Sequence, residues 1–295
     1  MRSIFYLLTA AGGLLFFAAC TTNRFYTPNT VQVPMLSRQH QATITGGFSK
    51  SGKNSGWEAQ GIYSPLPHVG LMVNHFNVRY NGLVVADFSP FFYESNFNGE
   101  SRFTEAGVGG YVEVGPEKEY LLSLYTGFGQ GSVLNRYSPP PDIQTGETYN
   151  SSWKYQRWFV QPSLSLKYRR FQVGTALRFA SIDFYDGDIN SRMGLLETER
   201  IQKLEASSPL FLTEMAWSIG WRLRPVVLSL NSTGVVLGNN SVRELELASH
   251  YVSFSAGLNI HELFKSREGD KVEKSKKKKT TKSKKSKSKK AKKRK

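Results

Sequence analysis

The stretch WKYQRWFVQPSLSLKY, residues 153 to 168, alternates apolar and polar side chains along most of its length. Trp158, Val160, Pro162, Leu164, Leu166 and Tyr168 share one face, and Arg157, Gln161, Ser163, Ser165 and Lys167 share the other. A period of two marks a β-strand with one greasy and one wet face. Length is the tighter constraint. Strands of soluble proteins commonly run to about five or six residues, whereas a tilted strand that crosses a bilayer needs about nine to eleven. From Trp158 to Tyr168 the strand extends roughly 33 Å at about 3.3 Å per residue, and a tilt of about 40° reduces this to roughly 25 Å. That is the height of the apolar band of a membrane barrel, with an aromatic residue at each edge.

The same alternation recurs between residues 40 and 264, with no helix-period apolar stripe of useful length. It predicts an all-β fold of about ten strands, at 40–50, 56–64, 68–80, 101–114, 118–131, 153–168, 171–184, 209–222, 225–233 and 248–263. Connections at 64–67, 115–118, 169–170 and 223–225 are short, and those at 81–100, 132–152, 185–208 and 234–247 are long. Short turns alternating with long loops are the layout of outer-membrane barrels, with the short turns facing the periplasm. One parity is free of charge on several of the strands: Trp57, Ala59, Gly61 and Tyr63; Tyr120, Leu122, Leu124, Thr126 and Phe128; Phe211, Met215, Trp217, Ile219 and Trp221; Val252, Phe254, Ala256, Leu258 and Ile260. The other parity carries Glu58, Glu105, Arg157, Lys167, Arg178, Glu214 and Arg222. A cation on the lipid face at mid-membrane costs about 2–4 kcal/mol, so the uncharged parity is expected to face lipid and the charged one the lumen. The expected architecture is a closed antiparallel transmembrane β-barrel. Pro162 lacks the N–H that an interior strand donates, and a bulge is expected there.

Charge is distributed unevenly. The chain holds 39 Lys+Arg and 23 Asp+Glu, but residues 265–295 contain 18 of the former and 3 of the latter, which leaves 21 against 20 before them. The body is therefore close to neutral. The tail, with one Val and one Ala after Gly269 and no aromatic residue, cannot bury enough apolar surface to offset the entropy of ordering, and is read as disordered. A polycation of this kind is attracted to any polyanion. In an exported protein the available anions are anionic lipid, lipopolysaccharide phosphate and acidic wall polymers, so nucleic acid is not expected. A purely solubilising tail is the alternative.

The segment ahead of the barrel reads as an export signal. Residues 4–19 are uncharged and mostly apolar behind Arg2, shorter than the roughly twenty residues of a membrane helix. They end at Cys20, the single cysteine of the chain, which excludes an intrachain disulfide. Phe17, Ala18 and Ala19 before it resemble the lipobox of bacterial lipoproteins. That resemblance implies that the chain is cut ahead of Cys20 and that its thiol carries a lipid. An ordinary cleaved leader with an incidental cysteine is the alternative. The expected organisation is thus a signal peptide at 1–19, a periplasmic tether at 20–39 kept extended by Pro28 and Pro34, a barrel at 40–264 and the tail at 265–295. An even strand number puts both chain ends on the short-turn side, so lipid anchor and tail are both expected at the periplasmic face.

The stretches YTPNTVQVPMLS, GIYSPLPHVGLMVN, EAGVGGYVEV, YTGFGQGSV and FVQPSLSLKY resemble a family of outer-membrane β-barrel lipoproteins of Bacteroidota, over roughly residues 20–264. These are scaffold motifs. The resemblance implies a fold and a Gram-negative outer-membrane location, and it carries no activity with it.

Candidate sites follow from the parity. Hydrolases built on ten-stranded barrels, such as the omptins and some lipid A hydrolases, set His beside Asp, Glu or Ser, so the five histidines have to be placed. His40, His68 and His261 fall near the periplasmic rim and His75 and His250 toward the outside, so no catalytic or metal cluster is expected, and no cofactor. Glu58, Glu105, Arg157, Arg178 and Glu214 are inward and in the upper half, where opposite buried charges are expected to neutralise one another as ion pairs. Ten strands leave little free bore, which argues against a general porin. The segment 81–99 is apolar for a loop, and Phe88, Phe91, Phe92, Tyr93 and Phe97 could form a docking surface for a partner or lipid. The alternative is an extended hairpin. The functional expectation is a non-enzymatic structural or accessory subunit of an envelope assembly, with a narrow pore or ligand-binding barrel, and then a membrane-embedded hydrolase, as rivals.

Overall fold

The structure is a computed structural model, and it describes residues 26–51, 54–88, 91–138, 149–189, 195–223, 225–238 and 250–262. The expected export signal, Cys20 and the lysine-rich tail lie outside them. Ten strands close on themselves: β1 (Ala42–Ser51), β2 (Asn54–Leu66), β3 (Val69–Phe88), β4 (Phe91–Val114), β5 (Tyr120–Ser138), β6 (Tyr149–Tyr168), β7 (Phe171–Ile189), β8 (Leu210–Leu223), β9 (Val226–Gly238) and β10 (His250–Asn259). Every strand pairs antiparallel with its neighbour in sequence, and β1 pairs with β10 from Thr43↔Asn259 to Ser49↔Ser253. Closure leaves no free sheet edge, the condition under which strands are stable in lipid.

The wall is inverted relative to a soluble protein. Its outer face exposes Phe48 (76% exposed), Trp158 (60%), Leu124 (55%), Phe254 and Phe211, while its inner face buries Asn, Gln, Ser, Glu and Arg. So extensive an apolar exterior is what an acyl-chain solvent requires. Aromatic residues gather at two levels. Phe48 pairs with Trp57 and with Phe254 in the sheet, and Phe128 with Trp158, at the level nearer the long connections. Tyr63, Tyr120, Tyr168, Phe171 and Trp221 stand near the short turns, where Phe171 and Trp221 stack with centroids 5.7 Å apart. The short-turn rim also concentrates backbone in the left-handed region, at His40, His68, Lys118, Arg169 and Gly115. Two of the histidines are thus turn residues.

Three expectations are corrected. The segment 81–99 is not a long loop but mostly strand, the extended hairpin named as the alternative: β3 runs on to Phe88 and β4 starts at Phe91, with Gly82↔Phe97, Ala86↔Tyr93 and Phe88↔Phe91 in register. Its β-branched and aromatic residues suit a strand, and the hairpin continues past the band; the side chains of Phe88, Phe91, Phe92, Tyr93 and Phe97 lie outside the described residues. The connection 185–208 contains a helix, α1 (Leu195–Ala206), whose Ile201 and Leu204 are buried under the loop end of the barrel. Finally, Pro162 causes no bulge. Val160↔Phe179 and Ser163↔Ala176 keep one register, and only the pairs between them are missing. The ladder to β5 continues through Leu124↔Pro162, so the absent N–H interrupts one side of the strand without inserting a residue.

A fourth correction concerns the expected tether. Over Tyr26–Ser37 it is not periplasmic. It runs through the lumen, where Tyr26, Asn29, Thr30, Val31 and Leu36 are all buried. Tyr26 joins the core at the loop end with Phe76, Phe103, Tyr155 and Tyr251; Val31 packs with Ala176 and Ala216; Leu36 packs with Met72, Tyr125 and Phe159 nearer the short turns. One extended segment therefore takes part in all three apolar clusters of the interior. The wall makes room for it: a Cβ on Gly174 would stand 2.5 Å from Cγ1 of Val33.

Candidate functional site

Parity alone requires that Glu105 on β4, Arg157 on β6, Arg178 on β7 and Glu214 on β8 point inward. Register decides that they meet. Arg178 pairs with Glu214 across β7 and β8, and curvature of the closed wall brings Glu105 across the lumen to both guanidinium groups. Arg157 Nη2 donates to Glu105 Oε2, and Arg178 Nη2 lies 3.2 Å from Glu105 Oε1. On the other side Glu214 lies 3.5 Å from Arg157 Nη1 and 3.6 Å from Arg178 Nη1. All four side chains are at most 1% exposed. Two cations and two anions give a neutral cluster, the condition under which buried charges are tolerated.

Glu58 does not belong to it. Among the described residues no cation pairs with Glu58; its Oε1 accepts from Ser253 at 2.8 Å and its Oε2 has no hydrogen-bond partner. The expected lumen pairs are thus found for four of the five residues. Glu58 shares a parity with the others but lies on the far side of the ring, on β2 beside β1, within reach of the serines of β10.

The internal segment completes the cluster. Asn29 donates from Nδ2 to Glu105 Oε1 at 3.0 Å, and its Oδ1 accepts from Arg157 Nη2 at 2.7 Å and from Arg178 Nη1 at 3.1 Å. An amide carries both a donor for a carboxylate and an acceptor with two lone pairs for two guanidiniums, without adding charge. The Tyr26 hydroxyl donates to Glu214 Oε1 at 2.7 Å and accepts from Arg157 Nη1. Asn74 donates a further bond to Glu105 at 2.6 Å, and Gln161 accepts from Arg178 at 2.8 and 3.1 Å. Each guanidinium also lies over a ring, Arg157 4.3 Å from the centroid of Phe103 and Arg178 4.6 Å from that of Phe159. Sequence reasoning missed Tyr26 and Asn29. A signal was present: residues 25–37 carry no charge between Arg24 and Arg38, as a strand threaded through a neutral lumen must.

Chemically this is a clamp. Glu105 and Glu214, which could act as bases, are each committed to two cations, and Glu58 stands outside the clamp. Each of four histidines has its own partner outside the cluster: His40 is 3.1 Å from the Tyr63 hydroxyl, His68 3.1 Å from the Tyr111 carbonyl, His75 2.8 Å from Thr104, and His261 3.4 Å from Arg38. The side chain of His250 lies outside the described residues. No group of three or more His, Cys, Asp or Glu among the described residues is arranged to hold a metal ion. Near the short-turn rim, Lys167 stands 3.6 Å from Glu113 and borders a cavity of about 80 Å³ with Gln32, Gln172 and Arg222. A wider concavity of about 470 Å³ lies on the lipid side, over Trp158, Val160, Phe179 and Phe211.

No family model matches the chain, and no curated protein matches it. Among solved structures it is similar to the outer membrane protease OmpT from Escherichia coli, at 10% identity over 74% of this chain and 89% of that one, with a TM-score of 0.41. CdiB from Acinetobacter baumannii is similar at 9% identity over 75% and 60% of the two chains, TM-score 0.24. The outer membrane protein OprD from Pseudomonas aeruginosa is similar at 6% identity over 74% and 92%, TM-score 0.24.

Proposed function

We propose that this chain is an outer-membrane β-barrel lipoprotein that neither conducts nor catalyses, and that serves as a structural or accessory subunit of an envelope assembly. The observation that carries this reading is the closed lumen: residues 26–37 occupy it from the short-turn rim to the loop-end core, held by the Asn29 and Tyr26 contacts to the neutral charge cluster. An interior built to bind its own chain leaves no continuous bore for solute. Glu105, Glu214, Arg157 and Arg178 are spent on internal pairs, which supports a holding role over a hydrolytic one. The apolar outer wall supports lipid as the surrounding medium, and the basic stretch 265–295 supports a partner that is anionic lipid, lipopolysaccharide phosphate or an acidic wall polymer.

Planar-bilayer recording of the purified full chain tests the closed lumen. The expected result is no sustained conductance; steady channels from folded protein would overturn the reading in favour of a pore. Capture of envelope components with the full chain and with a chain ending at residue 264 tests the tail. Loss of anionic lipid or wall polymer from the shortened chain is expected, and identical captures would remove the tail from the proposal.

A further inference from the structure

Strand β6 serves as a ruler for the internal segment. At its short-turn end Ser165 donates to the carbonyl of Pro34, at 3.5 Å; four residues higher Gln161 donates to the carbonyl of Gln32, at 2.7 Å; four higher again Arg157 donates to Asn29, at 2.7 Å. Tyr26 then packs edge-on against Tyr155, with centroids 5.7 Å apart. The segment climbs without reversal, and its lower end is fixed by the bond from the Ser37 N–H to Gln41, at 2.8 Å, just before β1. Read from residue 26 to residue 37, the chain enters at the loop end and leaves at the short-turn rim.

We infer that the residues ahead of Tyr26 pass out through the long-loop mouth, so that the N-terminal end is presented on the external face of the outer membrane while the chain beyond β10 stays on the periplasmic face. This rests on the outer-membrane reading above, with short turns in the periplasm. Tyr155 lies three positions beyond Trp158 toward the loop end of β6, and Trp158 belongs to the aromatic level nearer the loops. Tyr26 is therefore already at the outer edge of the apolar band. Cys20 is six positions ahead of Tyr26 (26 − 20), and six extended residues reach about 20 Å. The band is about 25 Å tall. A lipid on Cys20 could not regain the periplasmic leaflet from there even with an open path, and the path is filled by Asn29, Arg157, Arg178, Gln161 and Phe159. Counting strands puts both ends on one side only if the chain ahead of β1 lies outside the barrel, and it does not. The barrel thus acts as a conduit that holds its own chain across the membrane, with its N-terminal residues outside and its polycation inside.

Three full-length chains test this, each checked for folding by a heat-dependent shift in gel migration: one with an epitope inserted between Thr22 and Asn23, one with it between Pro141 and Asp142 in the connection after β5, and one with it after Lys295. Antibody binding is measured on intact and on permeabilised cells. The N-terminal epitope is expected to behave as the one at 141–142, with the same signal on intact as on permeabilised cells, and the C-terminal epitope to appear only after permeabilisation. An N-terminal epitope that follows the C-terminal one overturns the inference. Should the 141–142 and N-terminal epitopes both require permeabilisation while the C-terminal one does not, the outer-membrane orientation fails and the external placement of the N-terminal end is overturned with it. If the inserted epitope blocks folding, Asn23→Cys labelled by a membrane-impermeant maleimide gives the same reading from one small side chain.

Discussion

Asn29 and Arg178 lie 149 positions apart in the chain, and the amide oxygen of the first accepts a hydrogen bond from the guanidinium of the second across 3.1 Å. The contact ties a segment that precedes the barrel to the middle of its wall. Asn29→Leu keeps the branching of the side chain and removes its polar contacts, leaving guanidinium N–H groups of Arg157 and Arg178 without their acceptor. A loss of about 2–5 kcal/mol is expected, because unsatisfied buried partners of charged groups carry their full desolvation cost. Urea unfolding of the detergent-solubilised chain, followed by tryptophan fluorescence, measures it. A change within error of the parent would show that the segment does not bind the cluster.

Glu105 and Glu58 share a parity and differ in their surroundings, so one substitution separates them. Glu105→Gln leaves two guanidiniums against one carboxylate and should cost about 3–5 kcal/mol. Glu58→Gln keeps an acceptor for Ser253 and disturbs no ion pair, so it should stay within about 1 kcal/mol of the parent. Equal losses in the same unfolding assay would contradict the assignment of only four residues to the charge cluster.

Thr30 and Ser253 share a hydroxyl hydrogen bond of 3.0 Å inside the barrel. Replacing both by cysteine, in a chain whose Cys20 is replaced by alanine, places two thiols where mild oxidation should join them. The expected product migrates differently on non-reducing gels and reverts with reductant. Failure to crosslink in the folded protein would place the internal segment elsewhere.

Leu124 is 55% exposed on the outer wall opposite Pro162, between the two aromatic levels. Leu124→Arg should lower stability in bilayers by about 2–4 kcal/mol, since a cation at mid-band must leave water. Urea titration of the barrel refolded into vesicles measures the loss. An unchanged midpoint would mean that this wall does not face lipid.

Much of the architecture was legible in the chain. The period-two pattern of residues 153–168 carries strand, faces and length together, because side chains of a strand alternate whatever surrounds it and because the solvent on each side selects their polarity. The inward parity of Glu105, Arg157, Arg178 and Glu214 follows from the same rule. The bulge expected at Pro162 failed because the rule concerns a hydrogen bond, and the sheet can forgo two pairs on one side while the other side holds register. Helix α1 was hidden because LLETERIQKLEA holds few apolar residues, with Ile201 and Leu204 the buried ones among its described side chains, too few to announce an apolar stripe.

Local alternation, then, carried the approximate strand number and which parity faces outward and which inward, since these depend on neighbours within a few residues. Closure of the sheet decided the rest. It brought Glu105 within reach of Arg157 and Arg178, left Glu58 out, and enclosed Tyr26–Ser37 in an interior that no strand pattern announces. The contacts of Tyr26 with Glu214 and of Asn29 with the two guanidiniums span more than a hundred positions, and only the curvature and register of the finished wall determine which side chains share a space and from which end the chain enters it.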